Sequence, residues 1–210
     1  MWGNPDNLEK IKEIIVRSPE YFNWSTIFFL AVVVLVYTIL LKNKDYKSII
    51  AGITLYSIHW FYEIMNAVIA KVSGAPLWAV TNDSTSFILL IGVSVELSFM
   101  FSLAGIVAWK SYEALLPKVK ILGIPTKWII VIVMSILFSC IEIFLAWTGK
   151  FLWYYTWWGA IPVCITTYVP FFIGAMFLPE ANPKFKKIFI PSLVGINIIL
   201  LAILIPLGII

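Results

Sequence analysis

Six long apolar stretches, separated by short polar loops, dominate the pattern of residues along the chain. They cover Trp24–Leu41, Tyr46–Ala70, Thr85–Trp109, Trp128–Trp147, Trp158–Phe177 and Ile188–Ile210. An α-helix needs about 20 mostly apolar residues to cross the hydrocarbon core of a bilayer. Because short connections favour antiparallel neighbours, the pattern predicts an all-α, polytopic membrane protein with six transmembrane helices in one bundle, over residues 23–210.

The segment before the first apolar stretch has a different pattern. Leu8, Ile11 and Ile15 recur at helical spacing among charged residues. Such spacing is typical of an amphipathic helix that lies in a membrane interface. We therefore expect residues 1–22 to form a short interfacial amphipathic segment in front of the six-helix domain.

Composition narrows the class of protein further. Of the 210 residues, 61% are hydrophobic and 12% are charged, whereas soluble domains average about 45–50% and about 25%. A buried core cannot absorb this excess, which excludes a soluble enzyme and a nucleic-acid-binding domain. Cys140 and Cys164 lie in apolar runs away from histidine, so the sequence predicts no metal site, no disulfide and no cofactor.

Lysines are concentrated in every second loop. The loops after the first, third and fifth stretches contain Lys42, Lys44, Lys47, Lys110, Lys118, Lys120, Lys127, Lys184, Lys186 and Lys187. The two opposite loops have only Lys71 and Lys150. The positive-inside rule then predicts a multi-pass protein of the cell membrane with cytoplasmic lysine-rich loops and both termini outside.

Three glutamates, Glu63, Glu96 and Glu142, interrupt the apolar stretches at similar depth. An ionised carboxylate at the bilayer centre costs about 2.5–3.5 kcal/mol, so such side chains face the interior of a bundle. We expect the three glutamates to converge on one functional cavity. The alternative is that they are hydrogen-bonding groups that hold helices together.

The second apolar stretch has one polar face. Tyr56, His59, Glu63 and Asn66 are separated by three, four and three residues, which places them on one side of a helix. His59 is the single histidine of the chain, and a histidine one turn from a carboxylate can hold a proton near neutral pH. The spacing predicts that His59 and Glu63 handle protons and that Tyr56 and Asn66 contact a ligand.

Two loops opposite the lysine-rich ones are rich in aromatic residues. They read PLWAVTNDS from Pro76 and FLWYYTWWG from Phe151. Membrane interfaces attract Trp and Tyr, but the second loop is denser in them than an interface requires. Aromatic walls above buried carboxylates suit a flat apolar or cationic ligand. The candidate ligand-binding residues are therefore Trp78, Asp83, Trp153, Tyr154, Tyr155, Trp157 and Trp158.

One group of residues recurs along the chain. Glu63, Ala67, Lys71 and Trp78 have the same spacing as Glu142, Ala146, Lys150 and Trp157. Because the offset spans two helices, a duplication would relate two helix pairs by an axis along the membrane normal. Chance similarity between apolar helices is the alternative.

The second and third stretches contain the residues IHWFYE from Ile58, then Leu77-Trp78 and Asp83-Ser84, and then the central Glu96. In these residues the region resembles emopamil-binding and sterol-isomerase-like membrane proteins. This resemblance implies that His59, Glu63 and Glu96 line a lipid-accessible cavity and handle protons, with Asp83 alongside.

A second region has a recognisable set of residues: Glu142, Thr148, Gly149, Tyr154, Tyr155 and Pro162. In these positions it is similar to carotenoid hydratases and cyclases of the bisanhydrobacterioruberin-hydratase type. The resemblance implies a small polytopic enzyme that protonates isoprenoid double bonds.

These expectations favour a membrane-embedded enzyme that performs isomerase-, hydratase- or cyclase-type acid–base chemistry on an isoprenoid or other lipid. We expect Glu63 with His59 to be the acid, Glu96 its partner and Glu142 the stabiliser of a cation. The expected partners are membrane lipid and an apolar small molecule, and no nucleic acid. Two other functions stay open: a small-solute or proton-coupled transporter or substrate-binding subunit, and a structural membrane subunit without catalysis.

Overall fold

The computed structural model describes residues 3–82, 87–115, 120–121 and 123–210, and these residues form a helical bundle with short strands in its loops. The helices are α1 (Pro5–Lys12), α2 (Trp24–Lys42), α3 (Tyr46–Ser73), α4 (Val95–Ala114), α5 (Thr126–Trp147), α6 (Ala160–Val163), α7 (Val169–Phe177) and α8 (Pro183–Leu204). The strands are β1 (Trp78–Val80), β2 (Ile88–Leu90), β3 (Val93–Ser94), β4 (Lys120–Ile121), β5 (Ile124–Pro125) and β6 (Phe151–Trp153).

Local signals in the sequence explain where the central helix begins and ends. Asp45 caps the first turn of α3, because its carboxylate accepts hydrogen bonds from the backbone N–H and the hydroxyl of Ser48, at 3.2 and 2.7 Å. The helix ends at Gly74, whose φ of 84° lies in the left-handed region that favours glycine. The resulting helix has 28 residues, so it extends beyond the predicted end at Ala70.

The helices α3 and α4 form the centre of the bundle and pack closely. A Cβ atom on Gly105 would lie 2.5 Å from the carbonyl oxygen of Ala51, and one on Gly52 would lie 2.9 Å from the carbonyl oxygen of Ser102. Both contacts are too short for a real side chain, so the two glycines allow the backbones to approach. This packing brings the polar face of α3 into the interior.

Four helical segments of the described chain are long and apolar enough to cross a membrane: Trp24–Lys42, Thr126–Trp147, Ala160–Glu180 and Pro183–Leu204. Of the six predicted spans, the first, fourth, fifth and sixth therefore meet this criterion of length and hydropathy. The helices α3 and α4 are long enough but less apolar, because they carry buried polar side chains such as Thr54, Ser57 and Ser98.

The third predicted stretch is only partly helical. Residues 83–86 lie outside the described chain, and β2 and β3 pair as a hairpin before α4 begins at Val95.

The fifth stretch is helical from Ala160, with a π-helical turn at Cys164–Tyr168 between α6 and α7. Pro170 follows this turn and lacks the N–H that an α-helix would direct to the carbonyl of Thr166. The hydroxyl of Tyr62 donates a hydrogen bond to that carbonyl instead, at 3.0 Å.

The sequence pattern predicts loops without regular structure in the two aromatic segments. Each of them contains a short strand instead, and the two strands pair antiparallel. In this β1–β6 ribbon, Trp78 lies opposite Trp153, Ala79 opposite Leu152, and Val80 opposite Phe151. Side chains alternate between the faces of a strand. The middle pair therefore packs against α1, while the two outer pairs form a separate cluster on the other face.

The N-terminal helix covers the ribbon. Ile11 is 7% exposed and packs against Ala79 and Leu152, so the apolar face of α1 contacts the protein's own strands. The segment that follows α1 is also tied to the loops, because the Arg17 guanidinium donates hydrogen bonds to the carbonyls of Leu89 and Ile210, at 3.0 and 3.2 Å.

The loops of the bundle divide between its two ends. At one end, which we call the lysine end, Lys47 and Lys127 both form salt bridges with Glu180. The opposite end, the ribbon end, contains the β1–β6 ribbon, α1 and the C-terminal Ile210. The described parts of the lysine-rich loops thus lie at the opposite end of the bundle from α1 and Ile210.

Candidate functional site

A buried cavity of about 40 Å³ lies beneath the β1–β6 ribbon, between α3, α4, α5 and the π-helical turn. His59, Glu63, Glu142 and Tyr168 supply polar groups to its wall. Most of the remaining wall is apolar and includes Leu97, Met100, Phe101, Phe138, Ile141, Leu145, Phe151, Val163 and Phe171. We call this space the inner cavity.

Glu63 is held from above by the first strand of the ribbon. The Trp78 indole N–H lies 3.0 Å from Oε1 and 3.2 Å from Oε2 of Glu63, and the carboxylate is 4% exposed. Gly92 completes this contact, because a Cβ atom there would lie 2.4 Å from Glu63 Oε2. No local sequence pattern indicates this role of Gly92, because the role depends on a close approach between distant segments.

His59 lies one turn from Glu63 on the same face of α3. Its Nε2 atom is 3.3 Å from Glu63 Oε1, and its ring stacks on Phe101 with centroids 4.0 Å apart. Among the residues that the structure describes, no group hydrogen bonds to the buried Nδ1 atom. The imidazole and the carboxylate therefore face each other and can share one proton between Nε2 and Oε1.

Glu142 reaches the same cavity from α5. Its Oε1 accepts a hydrogen bond from the Trp153 indole N–H at 2.6 Å, and its Oε2 accepts one from the Tyr168 hydroxyl at 2.5 Å. The side chain is 4% exposed. Tyr168 was not identified from the sequence, because a single tyrosine in an apolar helix has no distinguishing pattern.

The two carboxylates thus have the same kind of environment. Each accepts a hydrogen bond from an indole N–H, a group that can only donate. Within the described part of the chain, neither Glu63 nor Glu142 forms a salt bridge with lysine or arginine. The indole donors hold the two carboxylates in position, and being neutral they bring no positive charge beside them.

The third glutamate of the predicted site lies elsewhere. Glu96 lines a neighbouring cavity and accepts hydrogen bonds from the hydroxyls of Ser25 and Thr26, both at 2.8 Å. It is in the first turn of α4, nearer the ribbon end than the inner cavity. The structure therefore brings two of the three predicted glutamates together and separates the third.

The two other polar residues of the α3 face have different surroundings. The Asn66 side chain donates to the carbonyl of Trp78 and accepts from the backbone N–H of Leu77, both at 2.8 Å. It therefore positions the strand that holds Glu63. Tyr56 is not among the residues lining the described cavities, and its ring lies edge-on to Trp60.

The remaining aromatic candidates lie around the ribbon, on both of its faces. Trp158 stacks on Trp78 with centroids 5.8 Å apart, and Trp157 is 51% exposed. Tyr154 and Tyr155 line a groove on the outer surface, together with Trp153 and Trp158. Asp83 lies outside the described residues.

In the predicted repeat, the two glutamates are hydrogen bonded to tryptophans that do not occupy equivalent positions. Trp78 hydrogen bonds to Glu63, and its counterpart on Glu142 is Trp153 rather than the aligned Trp157. The register of the ribbon gives the reason, because Trp78 lies directly opposite Trp153. The helix–strand units around α3 and α5 are alike in this contact.

Comparisons with known proteins place the chain among membrane proteins. A model described as "Uncharacterized membrane protein family" matches residues 7–206. A protein of Archaeoglobus fulgidus, described as an uncharacterized protein, is 32% identical over 175 residues, which are 80% of this chain and 81% of the relative. No solved structure matches. Neither match supports the resemblances to sterol-isomerase-like proteins or to carotenoid hydratases.

Proposed function

The chain belongs to this family of membrane proteins, and from that premise we propose that it is a membrane-embedded acid–base enzyme acting on the apolar part of an isoprenoid or other lipid. One observation carries the proposal: His59, Glu63 and Glu142 line the same small and mostly apolar cavity. In this proposal α3 and α4 also cross the membrane, shielded by the four more apolar segments, with the lysine end in the cytoplasm.

The cost of burying two carboxylates supports a functional role. Ionisable groups inside a membrane are expensive and commonly mark proton relays or substrate sites. A purely structural contact with an indole N–H needs only an acceptor, which a glutamine carbonyl would supply without the possibility of charge. Glu63 and Glu142, in contrast, are ionisable side chains, and both line the same cavity.

The His59–Glu63 pair is suited to be the proton donor. Its two facing atoms are 3.3 Å apart, so a proton can reside on either side with little movement of the heavy atoms. A positioned general acid of this kind contributes about 10²–10⁴-fold to a rate.

Glu142 is suited to stabilise the charge that protonation creates. Transfer of a proton from the His59–Glu63 pair to one carbon of a double bond leaves a cation on the other carbon. Phe101, Phe138 and Phe171 line the cavity, and aromatic rings attract a cation that approaches their faces. Glu142 then removes a proton from a neighbouring carbon, so the double bond moves and the mass of the lipid is unchanged.

The size of the inner cavity limits what it can hold. About 40 Å³ accommodates a few atoms rather than a lipid. The substrate must therefore present only its reacting segment to Glu63 and Glu142, while the rest of the molecule lies in the membrane or in a neighbouring space.

The test uses exchange of solvent protons, because it requires no knowledge of the substrate. Purified protein is incubated in D₂O with a total lipid extract from Archaeoglobus fulgidus, the source of the relative described above. A protonation–deprotonation cycle replaces a carbon-bound hydrogen by deuterium, so one class of lipid gains mass. We expect this gain with the unaltered protein and its loss in Glu63→Gln.

The exposed Glu20 provides a matched control, and Glu20→Gln should exchange deuterium like the unaltered protein. Absence of exchange in every sample, with the proteins folded, would refute catalysis of this kind. Uptake of a solute by vesicles containing the protein, without exchange, would favour transport.

A further inference from the structure

A second cavity, of about 160 Å³, lies beside the inner cavity. The two share part of their walls, because Leu97, Met100, Leu145 and Phe151 line both. A molecule in this side cavity is therefore separated from Glu63 and Glu142 by a single layer of side chains.

The side cavity has one polar end and an apolar body. Its charged residues, Glu96 and Lys150, lie toward the ribbon end, in the first turn of α4 and just after α5. Met100 lies one helical turn deeper than Glu96, and Phe29 contributes from within α2. This arrangement fits a molecule with a small polar head and an apolar chain.

The hydrogen bonds of the Glu96 carboxylate indicate which polar group the head of the bound molecule carries. Its Oε1 atom accepts the hydroxyl protons of Ser25 and Thr26. Its Oε2 atom is buried, and no group in the described part of the chain donates to it. Buried acceptors are normally paired, so a ligand that donates a hydrogen bond would complete this carboxylate. A neutral hydroxyl supplies such a donor without adding a further charge to a cavity that Glu96 and Lys150 already line.

The walls also indicate how such a molecule arrives. Phe29 of α2 and Leu145 of α5 line the side cavity, and both helices are apolar enough to cross a membrane. Their outer faces are exposed and apolar, with Phe28 at 65% and Phe144 at 58% exposure. A chain embedded in the membrane can thus reach the cavity between α2 and α5 without passing through water.

We propose that the side cavity binds the hydroxyl head of a long-chain alcohol, which reaches it from the membrane between α2 and α5. Glu96 accepts the hydroxyl proton in a hydrogen bond, and the first carbons of the chain lie against the shared wall. That this alcohol is the substrate rests on the function proposed above, whereas the binding itself does not.

The test is photolabelling of the full chain in detergent micelles. Three probes of 15 carbons are compared, each with a diazirine: a prenyl alcohol, a straight-chain alcohol and a straight-chain hydrocarbon. We expect at least one alcohol to label peptides containing Phe29, Met100 or Leu145 at least 10-fold more than the hydrocarbon does. Which alcohol is preferred identifies the type of chain, and either result supports the proposal.

Two variants test the two parts of the cavity separately. Glu96→Leu removes the acceptor and should lower labelling by the alcohol at least 10-fold, whereas the exposed Glu20→Leu should leave it unchanged. Leu145→Trp fills the cavity without altering Glu96 and should also abolish labelling. Equal labelling by alcohol and hydrocarbon, or unchanged labelling in both cavity variants, overturns the proposal.

The function proposed above is tested separately from this inference. Glu63→Gln should keep its labelling by the alcohol, because Glu63 does not line the side cavity. If Glu63→Gln loses deuterium exchange but no alcohol binds the unaltered protein, the side-cavity proposal fails alone. If the alcohol binds and exchange is absent, the proposed enzymatic function fails alone.

Discussion

The two ends of the bundle both place acidic side chains next to tryptophan, but in opposite electrostatic surroundings. At the lysine end, the buried Trp109 donates its indole N–H to Glu113 at 2.9 Å. The ammonium groups of Lys47 and Lys127 lie 5.7 and 5.6 Å from the centre of the Trp109 ring, and both pair with Glu180. Each acidic group here has a lysine beside it.

At the ribbon end, the partners of the carboxylates are neutral donors. Glu63 and Glu142 receive hydrogen bonds from Trp78 and Trp153. The ionisable groups that contact them are His59 beside Glu63 and Tyr168 beside Glu142. Protonation of such a carboxylate breaks no salt bridge with lysine, whereas protonation of Glu180 would break two. The acidic groups of the lysine end are thus held by salt bridges, whereas Glu63 and Glu142 are held by neutral hydrogen-bond donors.

The largest expected effect is a loss of deuterium exchange on mutation at the ribbon end, with no such loss on mutation at the lysine end. In the proposed mechanism Glu142 both stabilises the cation and removes the proton, so Glu142→Gln should lower deuterium exchange by at least about 10²–10³-fold. The amide oxygen can still accept the hydrogen bond of Trp153, so folding should persist. Exchange is measured by mass spectrometry of the lipid, and the melting temperature is measured on the same preparation.

The matched change at the lysine end is Glu180→Gln, which should leave exchange within about twofold of the unaltered protein. A similar loss of exchange in both variants would show that the two ends do not differ in function. Exchange that survives Glu142→Gln but not Glu63→Gln would assign the whole acid–base cycle to the His59–Glu63 pair.

Helical spacing was sufficient to identify part of this site. His59 and Glu63 are four residues apart, and that separation places them on one face of any helix, whatever the rest of the fold does. Likewise, Glu142 is buried because a carboxylate in an apolar helix must face the interior. These predictions follow from local geometry and from the cost of burial.

Contacts between distant segments could not be predicted in this way. Trp153 rather than Trp157 holds Glu142 because β6 pairs with β1 in one register, which no local pattern specifies. Glu96 lies outside the inner cavity because α4 begins only at Val95, after a hairpin that reads as part of an apolar stretch. Tyr168 reaches Glu142 through a π-helical turn, which shifts the register of the residues that follow.

The second effect concerns the donors that hold the carboxylates. Trp153→Phe keeps the ring but removes the N–H, which leaves Oε1 of Glu142 buried without this donor. We expect a loss of about 1–3 kcal/mol in the free energy of unfolding, the usual cost of a buried group that loses its partner. Chemical denaturation in detergent measures it.

The control for this change combines it with Glu142→Leu, which removes the group that needs the donor. In that background Trp153→Phe should cost much less, because the two effects are coupled through one hydrogen bond. Equal costs in both backgrounds would mean that Trp153 acts by packing, and that the indole–carboxylate contact does not distinguish the ribbon end.

A third and smaller effect is expected at the lysine end. Glu180→Gln removes the charge that pairs with Lys47 and Lys127, and we expect a loss of about 1 kcal/mol of stability, because the carboxylate is partly exposed and screened by water. The loss should decrease as salt is added. A loss that does not depend on salt would contradict an electrostatic origin.

The smallest effect is a dependence on pH at the same end. Burial alone would raise the pKa of the Asp45 carboxyl, but hydrogen bonds from Lys110 and from the side chain and backbone of Ser48 outweigh it and hold the pKa below its usual 3.8. A carboxyl with a lowered pKa in the folded state contributes stability above its unfolded pKa and loses it as the pH falls through the folded pKa. Asp45 should therefore stabilise the protein fully at neutral pH and progressively less below about pH 4.

Asp45→Asn isolates this contribution, because asparagine caps a helix about as well as aspartate does. The melting temperature of the variant should be lower than that of the unaltered protein at neutral pH, and the difference should shrink as the pH falls below about 4. A difference for Asp45→Asn that stays constant with pH would mean that its ion pair with Lys110 does not hold the lysine end together.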